Sequence, residues 1–264
     1  MNIIVTEKLD IGYEEALIVK QLDMKVPHGK ITSIVGPNGC GKSTVLKAVG
    51  RILKPRKGMV YLNGEDIKKL TTREIAKKMA ILPQTPTAPS GLTVNELVSY
   101  GRFPHQKGFG KLTAQDKEIV EWAIRVTKLQ DYKYREVDTL SGGQRQRVWI
   151  AMALAQKSDQ ILLDEPTTYL DMSHQLEVLE LLYDLNRNQG CTIVMVLHDL
   201  NLAARFSDYM IAISNGNIIK SGNPREIMTP AVLKDVFHID AKIVEESETG
   251  RPVCITYKLA EGAD

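Results

Sequence analysis

The sequence predicts an α/β fold: a mostly parallel sheet, an antiparallel β portion and an inserted α-helical portion. Three observations predict it. A strand-like run passes through a glycine-rich loop into a helical pattern within residues 30–53. From residue 160 onward, short apolar runs alternate with helix-period segments, the rhythm of parallel strands joined by right-handed crossovers. Between these stretches, residues 86–159 carry apolar residues at helical spacing.

Taken in order, Ile3-Ile4-Val5, Leu17-Ile18-Val19, Met59-Val60-Tyr61-Leu62 and Met79-Ala80-Ile81-Leu82 read as strands. Each is short, apolar or β-branched, and bounded by Gly, Asn or Pro. Asn63-Gly64 is a turn signal. Lys30-Ile31-Thr32-Ser33-Ile34-Val35 is a further strand, and residues 43–53 form a helix with apolar Val45, Leu46, Val49 and Ile52. In the middle, Val94, Leu97 and Val98, then Ile119, Trp122, Ala123, Val126 and Leu129, mark two helices. Thr93 with Glu96 forms a capping box, and Thr113 with Asp116 a weaker capping pair. Residues 101–110, with Pro104 and three glycines, read as a loop. Ser141 is expected to N-cap a helix over 145–156. Ile161-Leu162-Leu163 is a strand with Gln160 at its exposed start. Residues 173–186 form a helix with Leu176, Leu179, Leu182 and Leu185 on one face. Residues 191–197 are a continuous apolar strand, as expected when both faces are covered. A short helix over 200–206 precedes strands at 209–214 and Ile218-Ile219, which flank an Asn215-Gly216 turn.

Composition narrows the function classes. The 264 residues suffice for one large domain or two small ones. Net charge is +2, and the basic clusters Lys54-Pro55-Arg56-Lys57, Lys68-Lys69 and Lys77-Lys78 are scattered and free of interleaved aromatics. No nucleic-acid partner is expected from such a pattern. Three cysteines without metal-like spacing fit a reducing compartment. The N-terminal residues lack a signal-peptide pattern, and apolar runs such as 148–155 are far short of a membrane span. The chain is therefore expected in the cytoplasm, reaching a membrane only through a partner.

The sharpest chemistry lies in Gly36-Pro37-Asn38-Gly39-Cys40-Gly41-Lys42-Ser43-Thr44, which fits G-x-x-x-x-G-K-[ST]. A strand turning tightly into a helix aims backbone N–H groups and the positive helix end at one point, a natural seat for polyphosphate. Lys42 supplies a charge for the β- and γ-phosphates, and Ser43 a hydroxyl ligand for Mg²⁺.

Further motifs, in this order, resemble the ATPase subunits of ABC transporters over about residues 3–230. Leu140-Ser141-Gly142-Gly143-Gln144 resembles the signature motif that faces the ATP of a partner subunit. Ile161-Leu162-Leu163-Asp164-Glu165-Pro166-Thr167 resembles the Walker B strand. Asp164 is suited to hold Mg²⁺ through water, and Glu165 to polarise the attacking water as general base. In Val196-Leu197-His198-Asp199, His198 resembles the switch histidine that contacts the γ-phosphate. The other histidines, His174 among them, read as structural or solvated. Gln84 resembles the Q-loop glutamine, able to ligate Mg²⁺ or orient water. Asp171 resembles the D-loop aspartate at the dimer interface, and Tyr13 the aromatic that stacks on adenine.

The resemblance implies a single ABC ATPase domain over 1–264. Residues 1–85 and 160–240 would form the ATP-binding core, 86–159 the helical subdomain, and 241–264 a short C-terminal extension. It implies ATP and Mg²⁺ as cofactors, a head-to-tail dimer with a second copy, membrane permease subunits and, indirectly, an extracellular substrate-binding protein. Location would be peripheral, on the cytoplasmic face of the cell membrane. Thr167-Thr168-Tyr169-Leu170-Asp171, His174-Gln175-Leu176-Glu177-Val178-Leu179 and Arg251-Pro252-Val253-Cys254-Ile255-Thr256-Tyr257 look like importers of ferric siderophores, haem and cobalamin. Ferric siderophore is the expected cargo, with haem, cobalamin or a metal ion as alternatives. A soluble ABC ATPase of DNA maintenance would carry coiled-coil heptads or zinc inserts, and residues 86–139 show neither.

Overall fold

The computed structural model describes residues 2–14, 16–106 and 111–260. Strand β1 (Asn2–Tyr13) pairs antiparallel with β2 (Ala16–Leu22) and β3 (Lys25–Pro27). Strand β4 (Ile31–Val35) is buried throughout and leads through the glycine loop into α1 (Lys42–Val49). Strands β5 (Lys57–Leu62) and β6 (Glu65–Asp66) form a hairpin with Leu62 opposite Glu65. Its turn residues Asn63 and Gly64 have φ of 54° and 82°, the left-handed pair that a two-residue primed turn requires.

Next come α2 (Thr72–Lys78), β7 (Met79–Leu82), α3 (Val94–Tyr100), α4 (Ala114–Val126) and α5 (Gly142–Ala155). Then follow β8 (Gln160–Asp164), α6 (Met172–Gln189), β9 (Thr192–Val196), α7 (Leu200–Phe206), β10 (Tyr209–Ser214) and β11 (Asn217–Gly222). The chain continues with α8 (Pro224–Ile227), α9 (Pro230–Phe237), β12 (Ile239–Glu245) and β13 (Pro252–Leu259).

The chain divides into two compact units, one of Met1–Leu70 with Thr192–Asp264, the other of Thr71–Cys191. In the first, β2-β1-β5-β6 make an antiparallel sheet, with β3 on β1. Strands β11-β10-β4-β9 are hydrogen-bonded neighbours, with β10, β4 and β9 parallel and β11 antiparallel to β10. Ile34 pairs with both Ile211 and Val196, so the loop at Gly36 and the residue His198 leave the same ends of parallel neighbours. Carboxyl ends of parallel strands are where ligands bind in such sheets. Ile34 and Val196 are fully buried, each contributing about 1.5–3 kcal/mol of apolar burial.

In the second unit, β7 and β8 pair in parallel with Leu82 opposite Leu163. Helices α3, α4 and α5 pack together through Val94, Leu97, Val98, Val120, Ile124 and Val148, all buried. Arg102 is buried there, but its Nε donates to Asp116 at 2.8 Å and its Nη1 to the Ala155 carbonyl at 2.7 Å. The charge is thus paired, and an end carbonyl of α5 is satisfied. Thr71, Thr93, Thr113 and Ser141 each close a capping box with the residue three positions on.

The structure corrects several local expectations. Helix α1 stops at Val49, capped by Gly50, and Arg51 turns the chain at φ 59°, leaving Ile52 58% exposed rather than on an apolar helix face. Gln160 is 0% exposed, because β8 is buried along its whole length. Leu129 lies beyond α4, which ends where Lys128 takes φ 57°. On α6 the buried face runs through Val178, Leu179, Leu182 and Leu185; Leu176 is only half-buried. The expected loop over 101–110 contains a short 3-10 turn at Phe103–His105, and its residues 107–110 lie outside the described residues. Helix α2 interrupts a stretch whose apolar runs predict strands alone. The C-terminal extension forms the β12–β13 hairpin, its end at 261–264 again outside the described residues.

Candidate functional site

The loop between β4 and α1 is built from backbone that glycine alone takes easily. Gly39 and Gly41 have φ of 77° and 103°. At Gly36 the limit is space, since a Cβ would lie 2.0 Å from the Ile213 carbonyl oxygen. Gly41 is the N-cap of α1 and brings no side-chain cap to its first amides. Uncapped N–H groups at the positive end of a helix form an anion seat. Lys42 is only 5% exposed, and its Nζ donates to the carbonyls of Gly36 and Pro37, both at 2.8 Å. The ammonium is therefore folded against the loop, at the first residue of the helix. Asn38 and Gly39 are exposed, Pro37 and Ser43 half-buried, and Cys40 and Thr44 buried. Burial pushes the Cys40 thiol pKa up, and the Lys42 charge offsets part of that shift.

Two more expected residues belong to this unit. Tyr13 ends β1 with 45% of its surface exposed, leaving its ring accessible for stacking. His198 is exposed and forms a one-residue joint. On one side, the Leu197 N–H donates to the Ile34 carbonyl at 3.2 Å. On the other, Asp199 caps α7 by accepting from the Leu202 N–H at 2.8 Å.

The second unit carries the carboxylates. Strand β8 delivers Asp164, 4% exposed, at its last position. Glu165 follows in the left-handed region, φ 53°. Its Oε2 accepts from Gln84 Nε2 at 2.5 Å and from the Thr168 hydroxyl at 3.0 Å. Because a carboxylate only accepts, Gln84 must present its nitrogen there, and its Oε1 takes no part in that contact.

The same unit holds Ser141, Gly142, Gly143 and Gln144. Ser141 Oγ accepts from the Gln144 N–H at 3.3 Å, and Gln144 Oε1 accepts from the Ser141 N–H at 3.1 Å. Helix α5 thus begins at Gly142. A Cβ on Gly143 would fall 2.4 Å from His174 Cδ2, so the imidazole fills the room that a side chain would need. Asp171 caps α6 and accepts from the His174 N–H, the Ser173 hydroxyl and the His174 ring, at 2.9, 2.9 and 2.7 Å. These donors, the His174 backbone first, lower the Asp171 pKa to about 2.

Among the described residues, no group of three or more His, Cys, Asp or Glu could hold a metal ion. The oxygens of Ser43, Gln84 and Asp164 are hard donors. Oxygen donors of this kind are the type that a small hard cation such as Mg²⁺ takes.

Residues 19–168 match the ABC transporter family. This chain belongs to that family. The ABC ATPase is 61% identical to the iron(3+)-hydroxamate import ATP-binding protein FhuC of Bacillus subtilis (strain 168), over 98% of this chain and 96% of that protein. It is 50% identical to the achromobactin transport ATP-binding protein CbrD of Dickeya dadantii (strain 3937), over 97% and 96%. Among solved structures, a metal-chelate type ABC transporter in an inward-facing conformation aligns with a TM-score of 0.82 at 30% identity, covering 96% of both chains. A dimeric post-hydrolysis ATP-binding cassette bound to ADP and phosphate aligns with a TM-score of 0.73 at 29% identity, covering 83% of this ABC ATPase and 98% of that chain.

His174, which by sequence reads as structural or solvated in this ABC ATPase, places its ring against Asp171 and beside Gly143. The signal was an aspartate three residues before a histidine at a helix start, where capping places the two side by side.

Proposed function

We propose that this ABC ATPase is the ATP-hydrolysing subunit of an importer for ferric siderophores or related iron chelates. Its partners would be a second copy of itself, membrane permease subunits and, indirectly, an extracellular substrate-binding protein. Its place would be peripheral, on the cytoplasmic face of the membrane. Among the described residues no helix is long and apolar enough to cross one.

The uncapped start of α1 beside Lys42 supports nucleotide binding through Gly36 to Thr44, with Tyr13 against the adenine. Ser43, Asp164 and Gln84 would hold Mg²⁺. The ion would supply neutralisation of the charge on the β- and γ-phosphate oxygens. Glu165 would take a proton from the attacking water, and His198 would steady the γ-phosphate. Ser141 to Gln144 would serve the nucleotide of the partner copy, with Asp171 at that interface. Closing and reopening of the dimer would move the permease.

The likeness to the hydroxamate importer over nearly the whole chain carries the cargo reading. The test is a C-terminal tag on this chain, gentle solubilisation of native membranes and identification of what co-purifies. A polytopic permease in a one-to-one ratio is expected. Hydrolysis by that complex should rise with a ferric hydroxamate and its binding protein. Recovery only as a soluble monomer or homodimer overturns the importer reading. Stimulation by haem or cobalamin instead moves the cargo within the family.

A further inference from the structure

The C-terminal hairpin grips α7 at two places. The Asn201 side chain pairs with the backbone of β13, its Nδ2 donating to the Cys254 carbonyl at 3.0 Å and its Oδ1 accepting from the Cys254 N–H at 2.8 Å. At the far end, Arg251 Nη1 donates to the carbonyls of Ala204 and Ser207, both at 2.6 Å. Arginine there satisfies end carbonyls and complements the negative helix terminus. The hairpin is itself tied down, since Arg225 Nη2 donates to the Gly250 carbonyl at 2.9 Å and Pro252 is buried.

Helix α7 needs such contacts. It has seven residues, of which Ala203, Ala204 and Phe206 are buried. Two turns with so small an apolar face are marginal without tertiary support. One residue before its N-cap stands His198, directly after a residue bonded to β4. With the strand side anchored at Leu197, the set of α7 bears directly on the backbone that carries His198.

We infer that the β12–β13 hairpin is a clamp that sets His198, with Asn201 and Arg251 as its positioning residues. The inference rests on the proposed role of His198 in hydrolysis. It gives the C-terminal extension a part in turnover rather than in nucleotide binding, because the glycine loop over 36–44 leads into a different helix, α1.

The chemistry of Arg251 supplies the test. One nitrogen serves both carbonyls, so a lysine ammonium can replace it, whereas methionine keeps the stem and loses the donors. Steady-state ATP hydrolysis is measured for the full-length protein carrying Arg251→Met, Arg251→Lys, His198→Ala or Arg251→Met with His198→Ala. Arg251→Met should lower kcat roughly 2- to 30-fold, the range of couplings carried through packed networks. The KM for ATP should stay within about twofold, because uniform binding is untouched. Arg251→Lys should recover most of the loss. In the His198→Ala background Arg251→Met should cost nothing more, the signature of two residues acting as one. Unchanged kcat in Arg251→Met, no recovery with lysine, or the full loss added to that of His198→Ala overturns the clamp. Normal turnover in His198→Ala overturns the role of His198 itself, and the inference with it. Should Arg251→Met fail to fold, Asn201→Leu removes the other grip and must show the same split between kcat and KM.

Discussion

The side chains of Gln84 and Glu165 meet in a hydrogen bond of 2.5 Å, from the amide Nε2 to the carboxylate Oε2. The parallel register of β7 and β8 sets up this meeting. Leu82 lies opposite Leu163, and two residues further along each chain stand Gln84 and Glu165. Glu165 holds a left-handed φ of 53°, a conformation that costs a non-glycine residue about 1–2 kcal/mol. Strain of this kind gathers where a side chain must be aimed.

Glu165→Gln keeps the size and the backbone preference but removes the proton acceptor. Turnover should fall roughly 10²–10⁴-fold, the usual worth of a general base, with ATP still bound. Hydrolysis assays beside a nucleotide-binding titration check this, and near-normal turnover removes Glu165 from the role of base.

Lys42→Ala removes the ammonium that donates to Gly36 and Pro37. Hydrogen bonds to charged groups are worth about 1.5–3 kcal/mol, so ATP affinity should drop roughly 10- to 100-fold. Titration with a fluorescent nucleotide measures it. An unchanged affinity contradicts the placement of Lys42 at the phosphates.

Gly143→Ala puts a methyl where His174 Cδ2 already sits, 2.4 Å away. Overpacking of this kind costs about 1–3 kcal/mol, and the displaced ring loses its bond to Asp171. Thermal unfolding should show the loss, and His174→Ala combined with Gly143→Ala should recover part of it. A Gly143→Ala protein as stable as the parent would mean that the ring yields freely.

Asp171 gives a pH signature. Its pKa is lowered in the fold from 3.8 to about 2, chiefly by the His174 backbone N–H. The carboxylate therefore contributes stability that is present above about pH 4 and is lost as pH falls towards 2. Against Asp171→Asn, the stability advantage of the parent should be constant above about pH 4 and shrink below it. Denaturant titrations from pH 7 downward test the sign, and a difference independent of pH excludes the carboxylate as its source.

The locally determined features are legible in the chain. Strand β4 with its loop, both Asn-Gly turns and the caps at Thr93, Thr113 and Ser141 depend on neighbours a few residues apart. Helix α2 carried an equal signal, Thr71 with Glu74, but lay in a segment whose strands dominated the pattern. Gln160 looked exposed because a polar residue opening a strand usually is, and only the packing around β8 buries it.

The sequence by itself determined the phosphate loop, the family, the alternation of strand and helix, and the residues at the strand ends. Period and spacing encode these, and glycine, lysine and carboxylate chemistry names them. Only the tertiary structure decided that His174 fills the space beside Gly143, that Gln84 lies on Glu165, and that Arg251 and Asn201 hold α7. Arg251 reaches Ala204 across 47 residues, and Gln84 reaches Glu165 across 81. Contacts over such separations leave no periodic trace in a single chain, because register and packing, not local preference, bring the partners together.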